Sequence, residues 1–141
     1  MKWKGIVGQL DKILGFRTAG FILLGGFSIL FVLHIGVLLH FIPSETFWGG
    51  RIQSEEQLLS AELAALVVTT LMSIPVLLRL DILKSTRARG IPGIWIICIF
   101  MLLNATGNLM AKSTLEKTLA IPALLFAICA WRLTRKHHES K

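Results

Sequence analysis

Four stretches of this chain, residues 18–42, 61–80, 91–110 and 119–133, are nearly free of charge, and they constrain the fold more than any motif does. The first three reach the roughly 20 apolar residues that cross a hydrocarbon core about 30 Å thick. The fourth does so when extended outward to residues 114–135. In hydrocarbon an unpaired backbone amide costs several kcal/mol, and a helix pairs its own, so each stretch is expected to be helical. Composition agrees: 54% of the 141 residues are hydrophobic and only 16% are charged, too apolar for a soluble domain. The expected fold class is therefore all-α, a single-domain bundle of four transmembrane helices. Its expected divisions are spans at 18–42, 54–80, 91–111 and 114–135, an outer loop at 43–53, a cytoplasmic loop at 81–90 and a tail at 136–141.

The net charge of +7 is informative through its distribution. Lys2, Lys4, Lys12 and Arg17 precede the first span. Arg79, Lys84, Arg87 and Arg89 lie between the second and third, and Arg132, Arg135, Lys136 and Lys141 close the chain. The other side holds Arg51, Lys112 and Lys117, together with Glu45, Glu55, Glu56, Glu62 and Glu116. By the positive-inside rule this predicts cytoplasmic termini in a bacterial inner membrane, and it reads as topology rather than as a nucleic-acid footprint. Removing any one span would put a basic segment on the wrong side.

Ahead of the first span, Trp3, Ile6, Val7, Leu10, Ile13 and Leu14 recur at helical spacing with lysines elsewhere on the wheel. That pattern predicts a short amphipathic helix over residues 2–15 in the cytoplasmic headgroup region. The first span is too long for a secretory signal and lacks a small-residue cleavage site, so it reads as a retained anchor. Cys98 and Cys129 fall in separate spans with no C-x-x-C, and read as packing residues.

The outer loop "FIPSETFWGGRIQSEEQ" is the most distinctive extramembrane segment. Phe47 and Trp48 suit an interfacial aromatic belt, and Gly49-Gly50 suits a turn. Ser54 with Gln57 three residues later, and Glu55 and Glu56 between, predicts a capping box that starts the second helix. On that helix Glu62, Thr69 and Ser73 share one stripe, expected to face other helices. Pro75 and Pro122 predict kinks, and "GIPG" opens the third helix with Pro92 in its first turn. Gly25, Gly26, Ala61, Ala65, Gly107, Ala111, Ala123 and Ala127 are the small residues that membrane helices use for close approach. Ser113 with Glu116 predicts a second capping box at the start of the fourth helix.

Polar groups at membrane depth are expensive and are site candidates by default. His34, His40, Trp48, Arg51, Glu62, Asn104, Asn108 and Lys112 all fall toward the outer half. They are expected to line an outward-opening pocket for a small ligand, lipid headgroup or partner protein. His34 and His40 are about 240° apart around one helix, which rules out a metal site from that pair. His34 is expected to pair with Asn104 or Asn108, and Glu62 with Lys112. No metal and no cofactor is expected. The chain contains no H-E-x-x-H, G-x-S-x-G or phosphate loop. Two other readings remain: an oligomeric solute or ion transporter with proline-broken helices, and a membrane-embedded enzyme using His34 or His40 with Glu62 as acid and base. An enzyme is the less favoured assignment. Expected partners are membrane lipids, a second copy of the chain or another membrane protein, and no nucleic acid.

"FWGGRIQSEEQ" with "NATGNLMAKSTLEKTLAIP" resembles a family of small bacterial four-helix membrane proteins. The likeness rests on Trp48, Gly49, Gly50, Arg51, Asn104, Gly107, Asn108, Ala111, Lys112, Glu116 and Pro122. It implies a four-span fold in the cytoplasmic membrane, and no reaction.

Overall fold

The computed structural model describes residues 14–48, 51–84, 90–111 and 114–135, and these form five helices. They are α1 (Phe16–Leu38), the short α2 (Glu45–Trp48), α3 (Glu55–Arg79), α4 (Ile91–Leu109) and α5 (Thr114–Thr134). Of the amphipathic segment expected over 2–15 only Leu14 and Gly15 are described, and neither is helical; residues 2–13, Gly49-Gly50, Lys112, the capping pair of Ser113 with the Glu116 side chain, the Phe47 side chain and the tail lie outside the described residues. The four long helices are each long and apolar enough to cross a membrane.

They pack as an antiparallel ring. α1 touches α3 and α5, and α4 touches α5 and α3, which leaves α1 and α4 diagonal to one another. The α1–α5 contact is set by Gly26, where a Cβ would overlap the Phe126 ring. That ring stands edge-on to Phe27 with centroids 6.0 Å apart. The α3–α4 contact forms where Gly93 lies against the Pro75 ring, again with no room for a Cβ. The helix is assigned through Pro75 to Arg79, and likewise through Pro122 to Thr134, so neither proline ends its helix. Gly25 and Gly107 meet nothing within 4 Å and take no part in close packing, unlike the buried Ala123 and Ala127.

The core runs along this ring through Leu23, Phe27, Val76, Ile94, Ile97, Met101, Ala127 and Leu133. Large apolar side chains such as Ile29, Val32, Leu71, Ile96, Leu103 and Ile121 point outward. In water such a surface would be unfavourable, and against lipid tails it costs nothing. Hydroxyls are satisfied within their own helices: Thr69 donates to Ala65 O at 2.7 Å, Thr70 to Leu66 O at 2.8 Å and Thr106 to Leu102 O at 2.9 Å. Thr69 is buried and Ser73 half-buried, so the stripe faces inward as its spacing requires, but its hydroxyls bond their own backbone.

The helix ends have identifiable chemistry. Ser54 caps α3 by accepting from Gln57 N at 3.2 Å, while the Gln57 side chain accepts from Gln53 N at 2.9 Å. The cap is therefore reciprocal, one residue wider than the usual box. α1 stops at Leu38, although the apolar run continues to Ile42. His40 adopts φ 59° while its N–H bonds Val37 O and Phe41 N–H bonds Gly36 O. This Schellman arrangement turns the chain out of the helix with a histidine where glycine is common. Asp81, at φ 64°, ends α3 in the same way.

At the end of the bundle opposite His40, Arg79 is 5% exposed and donates from Nε to Leu133 O at 2.8 Å and from Nη2 to Arg135 O at 2.9 Å. Its guanidinium also lies 5.1 Å from the Phe16 ring centroid. A cation on the last carbonyls of α5 complements that helix's negative end, so a residue counted above as a loop charge is a core fastener. Arg132 Nε donates to Leu14 O at 3.1 Å, tying α5 to the start of α1.

Candidate functional site

The centre of the polar half is Glu62. It sits about two turns into α3, on the same face as Leu58 and Thr69, and is fully inaccessible. Two side chains from different elements hold its carboxyl group. His34 Nδ1 of α1 lies 2.7 Å from Oε2, and the indole Nε1–H of Trp48 on α2 donates to Oε1 at 2.7 Å. His34 is itself largely enclosed, its side chain 12% exposed. Both distances lie at the short end of the ordinary N–H···O range.

The pairing follows from sequence and topology together. The antiparallel hairpin of α1 and α3 brings His34, near the end of one helix, level with Glu62, near the start of the next. Diagonal placement of α4 keeps its asparagines away from α1. Asn104 is exposed on the outer surface of the bundle and Asn108 is half-buried, so His34 meets Glu62 rather than either asparagine. Trp48, half-buried, engages Glu62 through its indole. The four-residue α2 lays its indole back toward the bundle, and Arg51 N–H then bonds Trp48 O at 3.0 Å across Gly49-Gly50. Arg51 itself is exposed, and Lys112, the expected partner of Glu62, lies outside the described residues.

His40 separates from this group. It is exposed at the end of α1, with Nε2 3.8 Å from Oε2 of the equally solvated Glu55. An ion pair so open to water contributes little. Between the end of α1 and the start of α3 lies a depression of about 350 Å³, lined by Leu38, His40, Glu55, Glu56, Leu58 and Leu59. Of the eight candidate residues, only His40 lines it. Leu38 is one turn outward from His34, however, and Leu58 one turn outward from Glu62, so the depression stands above the buried pair on the same seam.

Chemically, the arrangement places an acid and a base in direct hydrogen-bond contact inside an apolar bundle, with an indole donor on the second carboxyl oxygen. Among the described residues no group of three or more His, Cys, Asp or Glu side chains gathers as a metal site. The sulfur of Cys98 is 3.5 Å from Ala127 O in the α4–α5 interface, a packing role.

Fold and side-chain placement define the class: an all-α protein with four candidate membrane spans and, toward one end, a buried Glu62 held by the half-buried His34 and Trp48. No protein-family model, no curated protein and no solved structure matches the chain. The likeness carried by the two loop motifs therefore stands on those residues alone.

Proposed function

We propose that this chain is a multi-pass protein of a bacterial cytoplasmic membrane, with both termini inside. Glu62, His34 and Trp48 form the core of an outward-facing site for a small polar ligand or a lipid headgroup. The orientation rests on charge: of the described basic residues, Arg17, Arg79, Lys84, Arg132 and Arg135 belong to one end of the helices and only Arg51 and Lys117 to the other. The single observation that carries the site is a fully buried carboxyl group in a membrane helix, held by a histidine and by a tryptophan from the outer loop. Intramembrane ionisable groups of this kind are costly, and a binding or proton-handling role accounts for the cost.

The test uses purified protein in zwitterionic nanodiscs, with its unfolding temperature measured against ethylammonium, glycerol phosphate, glycine and glucose. At least one probe should stabilise the wild-type chain, and its effect should vanish in Glu62→Gln. If none does, or if the effect survives that substitution, the site is wrongly assigned.

The membrane-enzyme reading is favoured by one distance, since acid–base work needs the imidazole and carboxyl groups within about 3 Å, and they stand 2.7 Å apart. The transporter reading loses its first motive, because α3 and α5 both continue through their prolines.

A further inference from the structure

We propose that the ligand of this site is a small organic cation bearing N–H groups, a primary ammonium, which enters from the outer depression and takes the place of the Trp48 indole on Glu62 Oε1. This rests on the reading of Glu62 as a binding site and adds the ligand's chemistry.

The argument starts from what each atom of Glu62 can accept. An ionised carboxyl group only accepts hydrogen bonds, and one of its oxygens is engaged by His34 from α1, a long helix packed into the bundle. The other is engaged by Trp48, which rides on a helix of four residues between two loop segments. The two donors are thus unequal in how firmly the fold holds them. Removing the indole without replacement would leave a buried acceptor half-satisfied, which disfavours opening. Another N–H donor removes that obstacle, and a positively charged one also compensates the carboxylate. Trp48 therefore acts as an internal stand-in for the ligand's donor.

The route is set by register. Leu38 and Leu58 line the depression, and each stands one helical turn from a member of the His34–Glu62 pair on the same helix face. A volume of about 350 Å³ accommodates a small alkylammonium beside these leucines. Among the described residues the other titratable groups at this end of the helices are His40, Glu45, Arg51, Glu55, Glu56 and Lys117, all exposed, and their charges of both signs act through solvent. No donor from α4 or α5 to Glu62 is seen among the described residues.

The experiment titrates ethylammonium and tetramethylammonium, at constant ionic strength, into the full chain in zwitterionic nanodiscs. It follows the 15N-indole resonance of Trp48, assigned by its loss in Trp48→Phe, and measures affinity by calorimetry. Ethylammonium should shift the resonance saturably, and tetramethylammonium, which has no N–H, should not. Trp48→Phe should bind ethylammonium about tenfold tighter, the equivalent of one hydrogen bond released. Glu62→Gln should abolish binding. Glu55→Gln with Glu56→Gln should weaken it no more than a few-fold. Equal binding of the two cations, unchanged affinity in Trp48→Phe, or abolished binding in the Glu55/Glu56 variant overturns the proposal. Should Glu62→Gln fail to fold, the Trp48→Phe and tetramethylammonium results decide. Stabilisation by glycerol phosphate alone, lost in Glu62→Gln, would overturn the cation while leaving the site standing.

Discussion

Nδ1 of His34 and Oε2 of Glu62 stand 2.7 Å apart, although 28 residues separate them in the chain. The contact joins α1 to α3 at the depth where both helices are otherwise apolar. Because Glu62 is fully buried and His34 nearly so, neither can exchange its partner for water without a local rearrangement. Trp48 adds the short α2 to the same carboxyl group, so one side chain couples three elements.

Replacing Glu62 by alanine leaves both donors facing an apolar gap. Truncating one member of a buried pair costs about 3–5 kcal/mol, and Glu62→Ala should lose stability on that scale in thermal unfolding. Glu62→Gln keeps the shape and an acceptor for Trp48, and should lose clearly less. Equal losses would mean that shape alone, and not the polar contacts, holds this region.

Trp48→Phe keeps an aromatic ring and removes the Nε1–H. The unsatisfied Glu62 oxygen should cost about 1–3 kcal/mol. Hydrogen exchange of the amides around Trp48 and Arg51 should accelerate in the variant, since the indole tethers this segment to α3. Unchanged exchange would show that the segment is held by other contacts.

Helix packing makes a sharp distinction among glycines. Gly26→Leu and Gly93→Val push side chains into Phe126 and Pro75, and each should destabilise by about 1–3 kcal/mol as overpacked positions do. Gly25→Ala and Gly107→Ala, where nothing lies within 4 Å, should instead stabilise by about 0.5–1 kcal/mol through helix propensity. Unfolding of the four variants under one condition compares them directly.

Arg79→Ala should loosen the end of α5 by freeing Leu133 O and Arg135 O. Limited trypsin digestion should then cut faster after Arg132 and Arg135 than in the wild-type protein. Arg79→Lys should rescue only part of the protection, because an ammonium does not reproduce the fork of the guanidinium. Identical cleavage in all three would remove the fastening role.

The four long helices were legible because hydrocarbon leaves the backbone no alternative. The α3 cap was legible because serine and glutamine act locally. Pair geometry was less so. His34 and Glu62 are equidistant from the expected span ends at 42 and 54, and an antiparallel hairpin would have matched their depths. Asparagines on the third span competed for the same histidine, and only the ring order, with α4 diagonal to α1, decides between them. Trp48 was legible as a companion of Glu62 but not as its hydrogen-bond donor, because composition does not show where the four-residue α2 lays the indole. The end of α1 was hidden for a related reason: the apolar run continues past Leu38, and a histidine at positive φ has no distinctive sequence signal. Arg79 looked like another inside-loop charge until carbonyls of a distant helix end were seen to meet it.

The most direct test is a double-mutant cycle between His34 and Glu62, using His34→Ala, Glu62→Ala and the double variant, with unfolding measured in one lipid environment. A buried, hydrogen-bonded pair predicts a coupling of about 1–3 kcal/mol, so that the double variant loses far less than the two single losses combined. Additivity within about 0.5 kcal/mol would contradict the pair, and with it the site built on Glu62.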